Sequence, residues 1–250
     1  MTTAVAGSIQ ARWFYVGMAG VYVLIAVAGF TPTYWAPVTS GTFPGPPVLH
    51  IHGLLFTSWT LLFLAQTVMV ATGNTALHRT WGVVGVSLVT AMICTVILVT
   101  IHSMQLADAH GFREAGRSFA IIPLTGIAVF AAFFAFAVIN FRRPEVHKRL
   151  MMAAMTPLMQ AAMARVFLVM NPPPPNAAGP PPVAFAVAPG LVVDLLLVVG
   201  MFYDWRTRGR PHWAYTVGLI VNIAVQVLCV PASTSGAWQG IAGWVESLAG

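Results

Sequence analysis

Seven runs of about twenty mostly apolar residues recur along this chain, and at about 1.5 Å per residue each can cross the hydrocarbon of a bilayer. No other feature constrains the fold as much. Backbone placed in hydrocarbon must satisfy its own hydrogen bonds, so runs of this length read as transmembrane helices. A soluble surface is excluded, because only 7% of residues are charged where a soluble domain carries about 25%. The expected fold class is all-α: a polytopic bundle forming one integral membrane domain over residues 1–250. The periodic runs place helices at about 12–30, 49–71, 82–102, 118–140, 150–170, 183–203 and 214–230. The first run has no sharp cleavage site before it and reads as an uncleaved helix. Trp238, Ile241, Trp244 and Leu248 fall at helical spacing in a tail at about 236–249, which reads as a short amphipathic segment in the headgroup region.

The loops divide by charge. Threading seven helices puts Arg12, Arg79, Arg142, Arg143, Lys148, Arg149, Arg206, Arg208 and Arg210 on one side. Arg113 and Arg117 fall on the other, beside Asp108 and Glu114. The positive-inside rule then predicts a cytoplasmic N-terminus and an outside C-terminus, in the plasma or inner membrane of the cell. The segment NPPPPNAAGPPP, polyproline-like and stiff, is expected outside. The net charge of +6 belongs to these turns and does not point to nucleic acid; the expected partner is the lipid bilayer. Cys94 and Cys229 lie in apolar runs without CxxC or metal-ligand spacing and read as small buried hydrophobes.

Ionisable groups inside spans are costly and are functional candidates by default. Arg165 lies about five residues from the outer end of the fifth helix, and Asp194 roughly eight to eleven residues into the sixth, depths that differ by about a turn. They read either as an ion pair locking the two helices or as groups facing a cavity for a cofactor, ion or substrate. Arg165 suits a carboxylate, a haem propionate or a lipid phosphate. The histidines sort by face: His50, His52, His102 and His110 outer, His78, His147 and His212 inner. His52 shares a stripe with Trp59 and Gln66, so it is expected to face the bundle, while His50 points away from it on a regular helix. His147 and Arg165 are eighteen residues apart, five whole turns, and share a face if the helix begins early enough. Pairs of histidines at matched depth on neighbouring hairpins fit bis-histidine ligation of a haem.

The turn ALHRTWG around His78 resembles the LHxWxG turn of the transmembrane di-haem cytochromes b, the b561-like group. The chain also resembles bacterial polytopic membrane proteins that carry an H…LHR…HKRLM pattern, some of them related to cytochrome oxidase assembly factors. The resemblance covers the second to fifth helices and rests on short motifs around single histidines. It implies that His78 is an axial ligand of haem b and that His147, in EVHKRLM, is its partner two helices on. The di-haem family's second pair uses the second and fourth helices, yet SFAIIPLTGIAVFAAFFAFAVIN has no histidine. His52 would then pair with His102, or the outer haem is absent.

Three functions follow as expectations. The first is a haem b protein in membrane electron transfer or oxidase-type assembly, with a quinone or redox protein as partner. Arg79, Arg149 or Lys148 would neutralise its propionates. The second is a zinc- or iron-dependent membrane enzyme or metal carrier, with an outer-face site of His50, His52, His102 and Asp194. The third is a non-catalytic structural subunit or a small-molecule permease. Nucleotide-binding loops and soluble nucleophile motifs are absent from the sequence.

Overall fold

The computed structural model describes residues 2–174 and 178–248, with side chains from residue 12 onward. Among the described residues every regular element is helical. Seven helical stretches of 20 to 35 residues are long and apolar enough to cross a membrane. They turn large apolar side chains outward: Leu24, Leu54, Val83, Leu98, Leu195 and Ile220 are each at least half exposed, while Arg149, Asp194, Asp204 and Asn222 are buried. That distribution is stable in lipid and not in water. The chain packs as two compact units, one up to Thr95 and one from Val96.

In the first unit, α1 (Thr2–Phe30) packs on α3 (Pro47–Ala71). Tyr15, Met18, Ala19 and Tyr22 form a buried stripe at spacings of three and four, and the Tyr22 ring meets Phe63 edge-on at 6.1 Å. The helical path does not stop near Phe30, where the sequence suggested a loop. A π-helical turn over Thr31–Trp35 carries it into α2 (Ala36–Thr39). Pro32, which has no N–H to give to the preceding turn, accounts for the irregular step. Pro47 then opens α3 at its first position, where a missing N–H costs nothing.

The next helix, α4 (Thr75–Ala109), is 35 residues long and continues into the second unit. It begins before the expected Gly82 and ends after the expected His102. His78 and Arg79 therefore stand in its first turns, and His102 lies inside the helix rather than at its end. The second unit adds α5 (Arg113–Phe119), α6 (Ile121–Ile139), α7 (Pro144–Met170), a 3₁₀ turn at Val183–Ala186, α8 (Val187–Arg208), α9 (Trp213–Ala232) and α10 (Gly236–Ser247). Part of the polyproline segment, residues 175–177, and the last residue of the predicted tail, 249, lie outside the described residues.

Within this unit α7 is the central helix and packs on α6, α8 and α9. Small residues let the helices close up. A Cβ at Gly218 would stand 2.8 Å from that of Ala153, and one at Gly200 would stand 2.6 Å from Cζ of the buried Tyr215 ring. Gly200→Ala is therefore expected to lower stability in detergent by about 1–3 kcal/mol, the usual cost of overpacking, read as the midpoint of thermal unfolding. An unchanged midpoint would show that Tyr215 moves aside without cost.

The tail forms the expected amphipathic helix. Ser235 caps it by accepting from the Trp238 N–H, Trp238 Nε1 donates to the Arg117 carbonyl at 2.8 Å, and Arg117 donates twice to Glu246. Ala242 and Val245 face inward, while Ile241, Trp244 and Leu248 remain exposed. Cys229 is buried beside Thr125, but Cys94 lies on the exposed face of α4, contrary to the expectation that both are buried.

Candidate functional site

Charged side chains gather where α7 begins, α8 ends and α9 begins. Arg149 is 1% exposed and Asp204 0%. Arg149 donates Nε to Asp204 Oδ2 at 2.7 Å and Nη2 to Asp204 Oδ1, the side-by-side geometry that makes arginine–carboxylate pairs strong. Its Nη1 reaches the carbonyl and carboxylate of Glu145 at 2.8 and 2.7 Å, and its guanidinium lies over the Tyr215 ring. Glu145 also holds Lys148 and Arg208. The motif EVHKR places these groups by helical spacing, with Glu145 three and four residues from Lys148 and Arg149. Asp204 was not anticipated, because the expected helix ended one residue earlier, at Tyr203.

His212 closes the cluster. Its N–H donates to Asp204 Oδ2 at 3.2 Å, and its Nδ1 accepts from the Ala214 N–H, capping α9. A protonated ring could not accept that bond. Burial first, and then the Arg149 charge, hold the imidazole below its ordinary pKa of 6.5. The unfolded chain thus binds this proton more readily, and the cap's contribution is complete above about pH 6.5 and lost as pH falls through the lower folded value. A modest drop in the unfolding midpoint between neutral pH and about pH 5, absent in His212→Asn, is the expected result. An equal drop in that variant would remove His212 as its cause.

His147 sits one turn into α7, half-buried. Its Nδ1 donates to the carbonyl of Ala137 at 2.8 Å, near the end of α6. Because a carbonyl only accepts, this bond fixes the proton on Nδ1 and makes Nε2 the basic nitrogen. Early initiation of α7 at Pro144 meets the condition for His147 and Arg165 to share one helix. In the first unit, His50 Nδ1 shares a 3.0 Å hydrogen bond with Tyr34 Oη and packs on Phe43. The His52 ring lies 4.3 Å from that of Phe56, Trp59 is buried, and His52 and Gln66 are half-buried. His78 is half-buried and Arg79 exposed; His102, in the second unit, is half-buried.

The expected Arg165–Asp194 ion pair is corrected. Asp194 of α8, 2% exposed, accepts from Asn222 Nδ2 at 3.2 Å and Gln226 Nε2 at 3.0 Å, both on α9. Arg165 Nη1 donates to the Ala161 carbonyl on its own helix. Asp194 finds amides because its face of α8 packs on α9, where Asn222 and Gln226, four residues apart, share one stripe. Gly190 makes the room: a Cβ there would stand 2.6 Å from the Gln226 side-chain carbon. Gln226 and Asn222 of α9 also line a cavity of ≈ 20 Å³, together with Thr125 of α6, Pro157 and Gln160 of α7, and Cys229 of α9.

Among the described residues no three His, Cys, Asp or Glu side chains form a group that could hold a metal ion. Arg149 is held by Asp204 and Glu145. Comparison with protein-family models, curated proteins and solved structures returns no match.

Proposed function

We propose that this chain is a multi-pass protein of the plasma or inner membrane that ligates haem b through His147 and serves membrane electron transfer or oxidase assembly. The observation that carries the reading is the Nδ1 bond of His147 to the Ala137 carbonyl. Haem-ligating imidazoles are held by this kind of second bond, which sets the tautomer and the ring plane and raises the basicity of Nε2. The resemblance supplies His78 as the second ligand. Of the expected propionate partners, Arg149 and Lys148 are bound to carboxylates, while Arg79 is exposed and remains suited to that role. Bound haem supplies one-electron chemistry; the chain supplies the ligand, its orientation and an apolar wall. A quinone or redox protein is the fitting partner.

Charge supports the orientation with the N-terminus in the cytoplasm. In the second unit Arg142, Arg143, Arg206, Arg208 and Arg210 lie at one end, and the other end balances Arg113 and Arg117 with Asp108, Glu114 and Glu246. The test of function is an absorption spectrum of the purified protein before and after dithionite. A Soret band with sharp α and β bands on reduction is expected. A colourless protein, expressed with added haem precursor and extracted in a mild detergent, would end this reading.

A further inference from the structure

Asp194 is a buried carboxylate in a membrane-spanning helix, and its hydrogen-bond donors among the described residues are two neutral amides. No cationic side chain among the described residues lies within ion-pair distance of it. A charge so placed is costly unless something positive is near. Gln226 links it to the cavity that Gln226 itself lines: Nε2 donates to Asp194, and Oε1 has no donor among the described residues. Gln226 is 7% exposed, so this is a buried, unsatisfied oxygen on the wall of a space of ≈ 20 Å³. Thr125 gives its proton to the Ile121 carbonyl at 2.6 Å and accepts from the Cys229 thiol at 3.5 Å, which leaves one oxygen lone pair for an occupant. Gln160, committed through Nε2 to the Ala186 carbonyl, adds a further carboxamide to the lining. The wall thus offers oxygens polarised by a carboxylate, in a space large enough for one water-sized guest.

We propose that this cavity binds one small monovalent cation, of the size of Na⁺, through Gln226 Oε1 and Thr125 Oγ1 and under the negative charge of Asp194. Hard cations take oxygen ligands, and intramembrane carboxylates mark ion sites. The inference is independent of haem binding. A ligand that binds only the folded state raises its stability by mass action.

The experiment is thermal unfolding of the full chain in detergent, titrating NaCl against N-methylglucamine chloride at constant ionic strength. The wild type is expected to gain at least about 3 °C in Na⁺, saturably. Asp194→Asn, which keeps the shape and removes the charge, is expected to lose the response. Thr125→Val is expected to need at least about tenfold more Na⁺ for half the effect, the loss of roughly 1.4 kcal/mol of binding. Equal midpoints in the two salts would overturn the proposal and leave water as the occupant. A response undiminished in Asp194→Asn would overturn it as well.

Discussion

Arg149→Met is expected to destabilise the protein by about 3–5 kcal/mol, because it leaves Asp204 charged and buried with, among the described residues, the His212 backbone N–H as its remaining donor. Asp204→Leu should be about as damaging, because it takes from the guanidinium its side-by-side carboxylate partner. The double variant is expected to recover part of either loss, since two apolar side chains in that space carry no desolvation penalty. Thermal or denaturant unfolding of all four proteins gives the coupling directly. Additive losses would show that water reaches the pair and screens it. The contrast with Lys148 and Arg208 is informative. Both reach Glu145 at a half-exposed edge, where removing either is expected to cost at most about 1 kcal/mol.

The cluster also shows what the sequence could and could not reveal. Apolar run length is a direct consequence of bilayer thickness, so the seven spans were legible in the pattern alone. Their ends were not. Helices continue past the hydrocarbon edge wherever caps and neighbours allow, and α4 runs about two turns beyond its expected limits at each end. This matters for function, because Asp204 was overlooked for standing one residue past a boundary. The Arg165–Asp194 pairing failed for another reason. Opposite charges at similar depth are a natural guess in one dimension, but a side chain pairs with what its own face meets. For Asp194 that face is α9, whose Asn222 and Gln226 stand four residues apart in the sequence. His147 was identifiable as a candidate from its motif. The Ala137 carbonyl that orients it belongs to the backbone of another helix and has no signature in sequence.

His147→Ala is expected to abolish haem binding while leaving membrane insertion intact, so the reduced-minus-oxidised spectrum should fall to baseline at unchanged yield in the membrane fraction. Lost ligation can be separated from a misfolded helix. The imidazole is half-buried, and its bond to the Ala137 carbonyl is worth about 1 kcal/mol to the fold, far less than the adjacent Arg149–Asp204 pair. An alanine variant with a near-native unfolding midpoint but no haem therefore reports on ligation alone. Added imidazole, free to occupy the vacated volume, is expected to restore part of the spectrum. His147→Met should retain haem at a raised potential, as a thioether ligand favours the reduced iron. His78→Ala is expected to match His147→Ala, and His102→Ala to leave this spectrum unchanged. Full haem content in both His147→Ala and His78→Ala would return the two histidines to a plainer role, anchoring helix ends among anionic headgroups beside Arg79 and Lys148.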